Sequence, residues 1–245
     1  MVARRQAGDL ARLMERTAAL HHLEGQDAAF TERLRQLRAW QAARLARTYE
    51  DLARDPDQAP AVHFFLTDLY GPQDFSRRDR DLARALPVLR RALPRSALSV
   101  LIEAIELYLL STELDQALAG ALGTGTLTAE NYARAYRAVG RAAQRRRQIE
   151  LTVQIGERLA RAGTRPLIGL ALRTMHVPAH VGGFGALQDF LERGFNAFRR
   201  LRDPQAFLQT IRSRELALNE ALLRTDTSPV PAEATARSAR PRGDG

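Results

Sequence analysis

The stretch from His63 to Asp81 reads HFFLTDLYGPQDFSRRDRD and holds a helix stop and a helix start only a few residues apart. Ahead of the stop, Val62, Phe65, Leu66 and Leu69 recur at the spacing of one buried helix face, and Phe64 widens that face. A helix over 61–70 is predicted. Gly71-Pro72 ends it, because glycine tolerates positive φ and proline supplies no backbone donor. Asp74 or Ser76 then caps the next helix, and Ser76 with Asp79 has the form of a capping box. The chain must therefore turn a corner here, with aromatic anchors before the bend and charges after it.

Those charges admit two readings. Asp74, Asp79 and Asp81 suit the positive end of a new helix, with Arg77, Arg78 and Arg80 making local pairs. Alternatively, Asp68, Tyr70, Asp74, Arg77 and Asp79 converge as a buried polar network or a binding site.

Helical patterning continues on both sides. Apolar positions mark helices over 9–22 and 27–54, the second with Phe30, Leu34, Leu37, Ala42, Leu45 and Tyr49 inward and Trp40 at the edge of the stripe. After the corner a helix over 75–93 carries Pro87 and should kink. The next, from Pro94 to Leu122, is apolar nearly all round between Ala97 and Leu110, as expected of a helix at the centre of a bundle. GTGT from Gly123 is a loop. Thr128 caps a long helix to Ala162, with Tyr132, Tyr136, Val139, Ala143, Ile149, Val153 and Leu159 inward and close contacts at Gly140 and Gly156. A short helix from Pro166 to Met175, a flexible VPAHVGGFG linker, an aromatic helix over 187–201 and a last helix from Pro204 to Leu223 complete the chain. Nothing reads as a strand. The expected fold is all-α: one bundle of eight or nine helices over 1–224 and a disordered tail over 225–245, rich in Pro, Ser, Thr, Ala and Arg.

Composition removes several chemistries. The 245 residues include no cysteine, which excludes disulfides, thiolate nucleophiles and iron–sulfur clusters. All 37 basic residues are arginine, so lysine Schiff-base and P-loop chemistry is absent as well. No apolar run approaches the length of a membrane span and no secretory h-region opens the chain, so a cytoplasmic setting is expected.

The formal charge of +9 raises the prospect of a polyanionic partner only where the charges cluster. Arg134, Arg137, Arg141 and Arg145 would share one face of a continuous helix, a stripe that could track a phosphate backbone. The plain alternative is a solvated face neutralised by glutamates of neighbouring helices. Glu103 and Glu106 share a face of the most apolar helix but have no Glu-x-x-His partner, so they should pair with arginines or border the core. His176 and His180 have the spacing of two metal ligands on a helix, yet Pro178 between them argues against that helix. All five histidines are therefore read as structural, with no metal and no cofactor expected. Nucleotide-binding and nucleophile-elbow motifs are missing.

FFLTDLY at Phe64 to Tyr70, followed by GPQDF and RRD, resembles the signature of the bacterial FFLEELY-motif proteins. The chain departs from that signature at Thr67 and Asp68, where the family has two glutamates. Threonine cannot replace a carboxylate as ligand or base, so the resemblance implies a helical fold and supplies no reaction. The functional expectation is a scaffold or protein-interaction module with a protein partner at the corner, Asp68 to Asp79, or in a groove beside it. Weak nucleic-acid binding through the arginine stripe comes second, and an enzymatic or cofactor-binding bundle third.

Overall fold

A computed structural model of the chain describes residues 16, 27–69, 95–123, 126–183 and 185–224. The described residues form nine α-helices and no strand: α1 (Ala28–Thr48), α2 (Glu50–Arg54), α3 (Ala59–Phe64), α4 (Arg95–Leu122), α5 (Ala129–Val139), α6 (Ala142–Gly163), α7 (Pro166–Val181), α8 (Gly185–Arg199) and α9 (Pro204–Arg224). A π-helical turn, Phe65–Leu69, extends α3. None of these helices is long and apolar enough to cross a membrane. The expected tail, the 75–93 helix with its Pro87 kink, and all of the 9–22 helix but Arg16 lie outside the described residues.

Caps set the helix starts where the sequence placed them. Asp27 accepts the backbone N–H groups of Ala29 and Phe30, Thr128 accepts that of Asn131, and Asp203 accepts that of Ala206. Among the described helices α6 has the most neighbours, lying along α4, α7, α8 and α9, whereas α4 lies along α1, α5 and α6.

Three expectations need correction. The helix from Thr128 to Ala162 is two helices, because Gly140 adopts φ 63° and ψ −111° and Arg141 follows in the left-handed region. Gly140 is thus a helix terminator, whereas Gly156 does mark a close contact: a Cβ there would lie 2.5 Å from a methyl of Leu208. The break resets the helical phase, so Ala143 is exposed and Arg145 turns inward. Secondly, α1 stops at Thr48, and Trp40 is core, stacked on Tyr132 with ring centroids 4.3 Å apart. Thirdly, α7 runs through Pro178 to Val181, so VPAHV is helix and not linker. Thr174 and Pro178 are both exposed, so the helical donor that proline denies the Thr174 carbonyl is lost on an exposed side of the helix.

The core has two parts. One gathers Leu45, Tyr49, Val62, Phe64, Phe65, Val153, Phe198, Leu201, Phe207, Leu208 and Ile211; the other gathers Leu34, Leu37, Trp40, Leu118, Tyr132, Tyr136 and Leu222. Between them on α1 sits Arg44, on α9 Glu215 and on α6 Arg145. Arg44 forks onto Glu215 at 2.7 and 3.2 Å, and the Tyr49 hydroxyl donates to the same carboxylate at 2.9 Å. Burial opposes the Arg44 charge, but the Glu215 carboxylate more than offsets it and holds the pKa above the usual arginine value. The Tyr136 hydroxyl donates to Asn219 at 2.7 Å, and burial raises its pKa. A polar layer therefore divides the bundle.

Candidate functional site

Helix α8 joins the corner motif to the rest of the molecule. It is amphipathic, with Phe195, Ala197 and Phe198 buried and Leu191 exposed, although Leu191 belongs to the expected apolar stripe. Phe64 and Phe65 meet it through Phe190 and Phe198, with ring centroids 5.3 and 5.9 Å apart. Gly194 makes the approach possible, since a Cβ at that position would stand 2.8 Å from the Phe64 ring. The aromatic half of FFLTDLY is core.

Asp68 is the corner residue that the structure places. It is buried, accepts both Nε and Nη2 of Arg193 at 2.8 and 2.7 Å, and accepts the Thr67 hydroxyl at 3.0 Å. Thr67 also donates to the His63 carbonyl, which closes the π turn on itself. Tyr70, Asp74, Arg77 and Asp79 lie outside the described residues.

The arginine stripe does not form as one exposed face. Arg134 is exposed and bonded to Asn131, Arg141 is the left-handed residue at the helix break, and Arg137 is half-buried. Arg145 is only 5% exposed, with its guanidinium 4.6 Å from the centre of the Tyr136 ring, and its Nε and Nη2 are buried without a hydrogen-bond partner among the described residues. Its neighbours pair across helices, Arg146 with Glu220 and Arg147 with Glu106. Glu103 pairs likewise with Arg158 at 2.8 Å. Glu103 and Glu106 of α4 are thus committed to arginines of α6, as the sequence led us to expect.

A second polar group lies between α7 and α8. Because α7 stays helical through Pro178, His176 and His180 stand one turn apart, with ring centroids 4.4 Å apart. They face two acidic residues one turn apart on α8. His176 Nδ1 is 3.0 Å from Glu192, and His180 Nε2 is 3.2 Å from Asp189. His180 Nδ1 donates to the His176 carbonyl at 2.8 Å, and that bond, with Asp189 beyond it, raises the imidazole pKa. Gln188 bridges Glu192 and the Leu172 carbonyl, and its amide holds the Glu192 carboxyl below the usual range. The signal was in the sequence, as His-x-x-x-His followed by Asp-x-x-Glu, but the proline rule concealed it.

The third feature is the outer side of α7. Among the described residues six large apolar side chains are exposed, and five of them, Leu167, Leu170, Met175, Val177 and Val181, are on this helix. Gly169 and Ala179 form its inner side, with Gly169 so close to Phe195 that a Cβ would lie 2.9 Å from the ring.

Residues 20–229 match the family model of a domain of unknown function (DUF8198). No curated protein and no solved structure matches the chain.

Proposed function

The chain belongs to the DUF8198 family, and we propose that it works as a protein-interaction module, presenting the outer side of α7 to a helix of another protein. The observation that carries this is the exposure of that ridge: Leu167 is 77% exposed, Val177 67% and Val181 85%. Leu167, Leu170, Val177 and Val181, with Thr174 between, fall at alternating steps of three and four residues, the seam that packs one helix against another. Arg173 is the one permanently charged residue on α7, so an acidic flank on the partner fits best.

This shifts the contact from the corner itself to the helix beside it. Asp68 is buried and occupied by Arg193, which suits an anchor more than a contact. The resemblance of FFLTDLY to the FFLEELY-motif proteins agrees, because its phenylalanines serve as core here. The nucleic-acid reading loses its geometric premise with Arg145 buried.

The test compares the wild type with a Leu170→Glu/Val177→Glu variant in affinity capture and in size-exclusion chromatography with light scattering. Both positions are exposed, so the helical circular dichroism should not change. A stoichiometric partner of a different sequence, held by the wild type and lost in the variant, is the expected result, and self-association through the same ridge would replace that partner with a second copy of this chain. Identical capture and identical mass for both would overturn the proposal.

A further inference from the structure

We propose that His176, His180 and Asp189 form a binding site for a divalent transition-metal ion of the zinc class, which clamps α7 onto α8. One ligand atom from each of the three residues lies within 4.8 Å of the other two. Two imidazoles and one carboxylate suit a borderline-soft divalent ion, with water completing the shell. Tetrahedral bonds of about 2.0–2.1 Å require ligand atoms roughly 3.3 Å apart. His180 and Asp189 already stand at 3.2 Å, and the other separations, within 4.8 Å, close by about 1.5 Å at most on binding, as exposed side chains can by rotation.

Three further features make this a built arrangement. The Nδ1–H of His180 is spent on the His176 carbonyl at 2.8 Å, which directs Nε2, the ligating lone pair, at Asp189. Glu192 bonds His176 at 3.0 Å while Gln188 bonds Glu192 at 2.8 Å, so the second ring is also fixed from behind. Gly185 leaves room for the His180 ring: a Cβ there would be 2.6 Å from Cδ2 and 2.9 Å from Nε2. Any proton on His180 Nε2 is displaced by the ion and leaves to solvent. This site stands independently of any partner on the outer side of α7, which uses the other face of the helix.

The experiment is titration of the metal-free full chain with zinc chloride alone by calorimetry, and with cobalt(II) by visible absorption. One ion per chain is expected, with the intense d–d bands of a tetrahedral cobalt site. His180→Ala and Asp189→Asn should each weaken binding at least tenfold, and Gln188→Ala about tenfold. His63→Ala, an exposed histidine on α3, should leave binding unchanged. Absence of stoichiometric uptake would overturn the proposal, and so would uptake retained in a His176→Ala/His180→Ala variant. All of the substituted ligands are half-buried or exposed, so the variants should keep their helical signal.

Discussion

The polar layer between the two cores and the histidine face between α7 and α8 use similar side chains in opposite ways. In the layer, the Arg44 and Glu215 side chains are 12% and 19% exposed, with Arg44 forked onto Glu215 and Glu215 accepting from Tyr49 as well. On the histidine face, His176, His180 and Asp189 are 47%, 41% and 40% exposed and bonded mainly in pairs. Charges removed from water cannot rearrange without losing partners, so the layer fixes how α1, α5, α6 and α9 register against one another. Charges left at the surface retain freedom to close on something else. The first region specifies the fold, and the second is available for function.

The largest expected effect tests the layer. Glu215→Ala strips Arg44 and Tyr49 of their acceptor and leaves a buried guanidinium uncompensated, which should cost about 3–5 kcal/mol in urea unfolding. The double variant Arg44→Met/Glu215→Leu should recover most of that loss, because removing both charges removes the desolvation cost. If Glu215→Ala lowers stability by less than about 1 kcal/mol, the layer is no more than a surface ion pair. A loss of similar size is expected from Phe195→Ala, about 3–5 kcal/mol by cavity formation. Phe195 is buried and covers Gly169 of α7, so this variant should also loosen the histidine face, seen as faster amide exchange along α7.

These two regions were unequally legible in the sequence. Helix starts were readable because Asp27, Thr128 and Asp203 are local capping signals. Phe65 and Phe198 were readable as core from their spacing alone. The layer was not, because it depends on residues far apart in the chain, such as Arg44 and Glu215, and on a phase reset at Gly140 that turns Arg145 inward. Nothing short of the tertiary fold shows that reset: Gly140 in a helical pattern looks like a tolerated interior glycine until its φ is known. The histidine face was half visible. The His-x-x-x-His spacing is legible, but Pro178 argues against the helix that would use it, and only the tertiary structure shows α7 continuing through that residue.

A smaller effect lies at the rim of the layer, one residue from Glu215. Arg214 forks onto Asp51 at 2.7 and 2.6 Å, donates to the Thr48 carbonyl and sits over the Tyr49 ring. The Arg214 guanidinium holds the Asp51 carboxyl down to about 2. A depressed carboxyl adds stability that is present above its unfolded value of about 3.9 and is lost as the pH falls through about 2. Asp51 is 55% exposed, so after solvent screening its share should be about 1 kcal/mol at most and should shrink in high salt. Asp51→Asn should flatten the acid limb of a stability-versus-pH curve in that window. An unchanged limb would show that the buried layer alone governs acid unfolding.

The smallest effect separates the two regions most sharply. In metal-free buffer Asp189→Asn should change stability by no more than about 0.5 kcal/mol, about 1–2 °C in Tm, because an exposed carboxylate facing an exposed imidazole adds little to a fold already fixed elsewhere. With zinc at a hundred times its dissociation constant the wild type should gain about 2.7 kcal/mol, and the variant, its affinity lowered at least tenfold, about 1.4 kcal/mol at most. Glu215 variants should show the reverse: destabilised in metal-free buffer, yet gaining as much from zinc as the wild type. A carboxylate that matters only when the ion is present belongs to a binding site, and one that matters only when it is absent from its guanidinium belongs to the frame. If Asp189→Asn instead lowers stability without metal as much as Glu215→Ala does, the histidine face is part of the fold and the division between the two regions fails.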